Sequence, residues 1–183
     1  MTLRIARFAN ILLFALVTGV FWGTWFSLSR SIATITPGAF LEIGHIMIRN
    51  LGGPMSVLLP AALASSVVVL ILLWRRRRIA AFYLAVAGLL LMVAALTVTL
   101  AVNVPIDVQI NQWTVKTLPA DWMAIRDRWE FFHAIRTFAS VAALAFAVAS
   151  VLRETPESHR MAAASPSRAA KQLLEQGRDA DGA

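Results

Sequence analysis

The sequence contains no cysteine and little charge of either sign. Without cysteine there are no disulfides, no thiolate metal centres, no c-type haem attachment and no thiol–disulfide catalysis. Small four-helix membrane enzymes that reduce quinones through paired cysteines are excluded with them. Charged residues make up 15% of the 183 residues, against about 25% in soluble domains. What fills their place is apolar: 58% of the chain is hydrophobic and the mean hydropathy is +0.69. The apolar residues gather in four blocks with charges in the gaps, a pattern written for a bilayer. The length suits one domain.

The remaining charge is mostly basic, 17 Lys and Arg against 10 Asp and Glu. In a soluble chain that excess would point to nucleic acid. Here Arg75 to Arg78 form one run between two apolar blocks. A basic loop beside membrane spans is a topology signal, so no nucleic-acid partner is expected.

A spanning helix needs about 20 apolar residues. The first expected span, residues 8–28, is too long for a signal peptide and no small-x-small cleavage site follows it. It carries Gly19 and Gly23 at close-packing spacing. The second and third spans, 55–74 and 79–102, are joined only by the four arginines and form a tight hairpin. The fourth needs residues 129–152 to cross, which carries Glu130, His133 and Arg136 into its first turns. Ionisable residues at membrane depth are costly and face the bundle interior or a wet cavity. Loop arginines place both termini and the arginine turn on the cytoplasmic side of the cell (inner) membrane. The expected fold is all-α, an integral membrane four-helix bundle. Residues 153–183, rich in Ala, Ser, Pro and mixed charge, read as a disordered cytoplasmic tail.

Both outer loops carry polar chemistry. In the first, Thr36 suits an N-cap and Pro37 the first helical position, and Gly52 or Gly53 can end a helix. Glu42, His45 and Arg49 share one face; Phe40, Ile43, Met47 and Leu51 form an apolar stripe. This predicts an extra amphipathic helix on the membrane surface or tucked into the bundle mouth. In the third loop Asn103 and Pro105 are expected to end the third span. Trp113, Trp122 and Trp129 fit an interfacial belt.

Glu42 with His45, and Glu130 with His133, are two Glu-x-x-His pairs on one predicted side of the membrane. Three-residue spacing puts each pair on one helix face. Such pairs on facing helices recur in di-metal bundles, and two histidines also leave haem open. A further carboxylate, Asp107, is near. The competing reading is a salt-bridge network in which Glu42, Glu130 or Asp107 neutralises Arg136, since buried charge demands pairing.

The string Asn103-Val104-Pro105-Ile106-Asp107, then Trp122, then Arg128-Trp129-Glu130-Phe131-Phe132-His133-Ala134-Ile135-Arg136-Thr137, resembles the signature of the anthrone oxygenase-like membrane family. Bacterial members of that family are largely a domain of unknown function. The family pattern is Asn-x-Pro-[Leu/Ile]-Asn, a long gap, then Trp-x-x-x-[Asn/His]-x-x-Arg-Thr opening the last span. The likeness runs from Phe8 to Leu152 and departs at Asp107, where the pattern has asparagine.

The resemblance implies oxidation of a hydrophobic aromatic phenol by molecular oxygen, without an obvious bound cofactor. Under it His133 would be the base, because its unperturbed pKa lies near neutrality. Arg136 or Asn103 would stabilise the resulting oxyanion, Asp107 belongs to the same catalytic group, and Trp122, Trp129 and His45 would bind substrate. Two alternatives stand beside it: a metal or haem redox protein using His45 and His133, and a non-enzymatic assembly subunit whose charged stripe only holds helices together. The last predicts a closed network without a cavity. Lipid is the expected surrounding, and self-association is left open.

Overall fold

The computed structural model describes residues 1–29, 31–76 and 79–153. The expected tail beyond Arg153 and the second half of the arginine turn lie outside the described residues. Within them the chain is helical without strands. It comprises α1 (Thr2–Thr24), α2 (Pro37–Leu73), α3 (Ala80–Val98), α4 (Val104–Gln112) and α5 (Trp122–Leu152). A five-residue π turn, Trp25–Ser29, extends α1, and a second, Thr99–Asn103, joins α3 to α4. Four helical stretches are long and apolar enough to cross a membrane. The expected four-helix membrane bundle is the fold.

The outer helix forms, capped as expected: the Thr36 hydroxyl accepts from the Ala39 N–H at 3.3 Å and Pro37 opens the helix. It does not stop at Gly52 or Gly53. It runs unbroken through both glycines, Pro54 and Pro60 into the second span, 37 residues in all, or about 55 Å at 1.5 Å per residue. A glycine stop needs positive φ, and no glycine among the described residues has it. Near lipid a helix that continues satisfies its own backbone, whereas one that ends must find outside partners. Beside Pro54, the Ser56 hydroxyl donates to the Gly53 carbonyl at 2.7 Å. For the same reason Asn103 and Pro105 do not end the third span. Pro105 sits in the first turn of α4, directly after the π turn that absorbs the change in hydrogen bonding.

The helices close a ring in the order α1, α2, α3, α5, with α3 against α5 the most extensive seam and α2 against α3 the least. The main core joins Phe14, Val17, Leu59, Ala62, Met92, Ala95 and Ala143. Gly19 and Gly23, expected at a close approach, meet nothing within 4 Å; the close approach is at Gly88, where an added Cβ would stand 3.1 Å from the Ala143 carbonyl oxygen. Polar side chains pin the seams. The Asn10 amide on α1 donates to Ser65 Oγ at 2.9 Å and Ser66 Oγ at 2.8 Å on α2, and Ser150 on α5 donates to Ala81 O on α3 at 2.7 Å. Such bonds matter because lipid offers no hydrophobic drive between helices.

Aromatic side chains mark two levels. Trp74, Phe82 and Tyr83 cluster at the arginine-turn end; Trp22, Trp25, Phe26 and Phe138 cluster at the other, here the loop end. Amphipathic rings collect at membrane–water boundaries. Counting about 20 residues from the arginine-turn end of each span reaches Phe21, Pro54, Thr99 and His133. Phe21 and His133 are in ring contact, 6.2 Å between centroids. All four spans therefore leave the apolar layer at one height, and the ionisable stripe begins there.

Candidate functional site

At that height the bundle is not filled. A cavity of about 680 Å³ lies between the helices, in the middle of the range of small-molecule sites. Its walls are mostly apolar. The stripe predicted on the outer helix, Phe40, Ile43, Met47 and Leu51, faces into it, so this helix is a wall of the bundle mouth. Among the lining residues, His133, Arg136, Asp107 and Thr99 supply the principal polar groups, with Trp129 beside them.

These side chains form one connected set. His133 is 1% exposed and fixed by three neighbours. Trp129, one turn earlier on α5, stacks on its ring at 4.8 Å and 15°. Phe21 of α1 meets it edge-on. Arg136, one turn later, donates Nε–H to His133 Nδ1 at 3.1 Å. Arg136 also donates to Thr99 Oγ1 at 3.2 Å, and its guanidinium lies 4.6 Å from the Phe21 ring centroid. A guanidinium only donates, so His133 Nδ1 accepts and the neutral ring carries its proton on Nε2. Nε2 is buried, with the Phe21 backbone as its polar neighbour and no full hydrogen bond. In this arrangement His133 carries an N–H at Nε2.

Trp129 is held in turn. Its indole N–H donates to Asp107 Oδ1 at 2.7 Å, and its carbonyl accepts from the Asn103 amide at 3.1 Å. Asn103 is fully buried but does not line the cavity. Its contact is with the Trp129 backbone, so it positions that residue. The π turn brings Thr99, Asn103 and Asp107 to bear on α5 together. Asp107 is the one carboxylate among the lining residues.

Other expected site residues lie elsewhere. His45 bonds the Ile110 carbonyl through Nε2 at 2.9 Å, joining α2 to α4, and is not on the cavity wall. Trp122 stacks on Phe40 at 5.2 Å, with Arg126 over it at 5.3 Å, and supports the wall from behind. Glu42 is exposed, and Glu130 is partly buried with Oε1 unpartnered. Among the described residues no three His, Cys, Asp or Glu side chains assemble into a metal-holding group. The set Glu42, His45, Glu130 and His133 is thus not brought together: each Glu-x-x-His pair shares a face, but the His45 ring is committed to α4. Arg136 makes no contact-distance ion pair with Glu42, Glu130 or Asp107 among the described residues, although the Asp107 charge lies near enough to act on it. Arg136 instead uses a histidine, a threonine and an aromatic face.

Two residues that hold His133 and Arg136 escaped the sequence reading. Phe21 and Thr99 sit inside apolar spans, and nothing in their local pattern separates them from ordinary span residues.

A sequence model described as anthrone oxygenase matches residues 50–146. No curated protein and no solved structure matches the chain. The matched stretch takes in most of α2, all of α3 and α4, and α5 through Arg136 to Phe146.

Proposed function

The chain belongs to the anthrone oxygenase family, and from that premise we propose that it oxidises a hydrophobic phenolic substrate held in the cavity, with molecular oxygen as oxidant. The observation that carries the reading is a cavity large enough for such a substrate, with Asp107, Arg136 and His133 together among its lining residues. A subunit that used its charged stripe only to hold helices together predicts a closed network, and the cavity weighs against that alternative.

The chemistry follows from the groups present. Arg136 and the His133 ring beside it place positive charge and dipole near a substrate carbonyl or phenolic oxygen at the cavity wall. They stabilise the enolate formed when the carbon across the ring loses a proton. Asp107 is the base in this arrangement: a carboxylate facing an oxyanion hole, the division of labour also used for proton abstraction next to a carbonyl. The family pattern has asparagine at this position, so a carboxylate base is a departure from that pattern.

The enolate carbon gives electrons to O2 and forms a C–O bond, and the peroxide takes the proton back. Loss of the remaining hydrogen on that carbon breaks the O–O bond, leaves a new C=O and releases water. One O2 is consumed per substrate: one oxygen atom is retained and the other leaves as water. We further propose that the loop end faces outward from a cell membrane, with both termini inside, as the arginine turn favours.

The test is oxygen uptake and quinone absorbance with a tricyclic anthrone and the protein in lipid nanodiscs. Turnover is expected, with His133→Ala and Asp107→Asn slowing it by about 10²–10⁴-fold, the usual worth of one acid–base group. Turnover unchanged in both variants would refute the assignment. No oxidation above protein-free membranes would refute the activity.

A further inference from the structure

The cavity has an open side. α1 and α5 close it from behind through Val20, Phe21, Thr24, Trp129, His133 and Arg136. The remaining face lies along the seam between α2 and the joined α3–α4 helix, of which the α2–α3 part is the most thinly packed in the ring. These helices meet near the arginine turn, where Val69 and Leu73 cluster with Phe82, and both feed the main core, through Ala62 and Met92. They touch once more at the loop end, where Ile110 stands against Gly44, at 3.2 Å from a Cβ built there, and His45. Between the last two contacts they part.

The two lips of the gap have matching periodicity. On α2, Gly52, Ser56 and Pro60 recur every four residues; all line the cavity and all are exposed. Opposite them Leu100, Val104 and Val108 recur at the same spacing, also on the cavity wall and exposed. One lip is small and the other apolar and bulky. By the count of residues from the arginine turn, Ser56, Pro60 and Leu100 stand at or just inside the edge of the hydrocarbon, on the loop side.

We propose that this seam is a lateral doorway through which the substrate enters from the bilayer, so that the substrate class is an aromatic dissolved in lipid, carrying one polar oxygen to the buried end. This rests on the reading of the cavity as a substrate site. A flat apolar ring passes between a small lip and an apolar one, both of them helical. Its oxygen then reaches the polar end of the cavity, where Thr99, Asp107, Arg136 and His133 lie together. A charged, water-borne compound would have to shed its hydration at the apolar lips and gains nothing there.

The experiment uses a photoactivatable diazirine alkylphenol that partitions into the membrane, and the same phenol bearing a sulfonate that keeps it in water. The protein is held in vesicles, and adducts are located by peptide mass spectrometry. The lipid-soluble probe is expected to label the peptide carrying Trp129 and His133, and the sulfonated probe is not. Ser56→Trp, which plugs the gap, should abolish that labelling; Val57→Trp, exposed on the same helix but off the cavity wall, should leave it intact. Leu100→Trp plugs from the opposite lip and replaces Ser56→Trp if that variant does not fold. Equal labelling by the sulfonated probe, or labelling that survives the plug in a folded variant, overturns the doorway. Labelling needs no turnover. A doorway without oxidation sinks the activity alone, and oxidation untouched by the plug sinks the doorway alone.

Discussion

The bond between the Trp129 indole and Asp107 lets stability and chemistry be pulled apart. Asp107 accepts from Trp129 Nε1 at 2.7 Å while also lining the cavity. Replacing it with asparagine keeps an acceptor oxygen in place and removes the charge. Replacing it with leucine removes the acceptor and strands the indole donor. Hydrogen bonds to charged groups are worth about 1.5–3 kcal/mol, against about 1 for neutral ones. Asp107→Leu should therefore lose about 1.5–3 kcal/mol, which for a chain of this size is a fall of about 3–12 °C in Tm. Asp107→Asn should lose half of that or less. Trp129→Phe should cost about as much as Asp107→Leu, and the double variant little more, because both remove one bond. The assay is thermal unfolding in detergent for all four proteins, with oxidation rates measured alongside. Asp107→Asn is expected to stay folded and lose rate. If it unfolds as readily as Asp107→Leu, or if the two single losses simply add in the double variant, the hydrogen bond does not hold the site as described.

Two further predictions concern the scaffold. Gly88→Ala puts a methyl 3.1 Å from a backbone carbonyl that cannot swing away; it should cost about 1–3 kcal/mol by overpacking, while Gly19→Ala, in open space, should be neutral or slightly stabilising in the same unfolding assay. Asn10→Ala breaks the α1–α2 bonds to Ser65 and Ser66; a loss of about 0.6–1.7 kcal/mol is expected by unfolding in mixed micelles, without change at the cavity.

The spans were legible because lipid imposes length and composition on every residue that crosses it. His133 and Arg136 were legible because ionisable groups stand out against that background, and Asp107 because it departs from the family pattern. Three things were not legible, each for a physical reason. Gly52, Gly53 and Pro54 look like a stop in water, but beside lipid an unbroken helix satisfies its backbone better, so α2 continues. Gly19 and Gly23 have the right spacing for a close approach, but spacing does not say which face meets a neighbour; Gly88, alone in its span, does the work. Phe21 and Thr99 join the site because the bundle ring puts α1 and α3 beside α5, an arrangement no local pattern encodes. The Glu-x-x-His pairs failed in the other direction: shared faces on separate helices did not bring the pairs to one point.

The wide turn at Thr99–Asn103 has a consequence for how this helix is read. A π turn holds one more residue than the α turn it replaces, so everything after it is rotated by about 100° relative to the line continued from α3. A wheel drawn straight through from Ala80 to Gln112 puts the wrong side chains toward lipid from Val104 onward. Insertion of a single residue thus lets one rod present an oily flank along most of its length and then swing a carboxylate inward at the point where the oil ends.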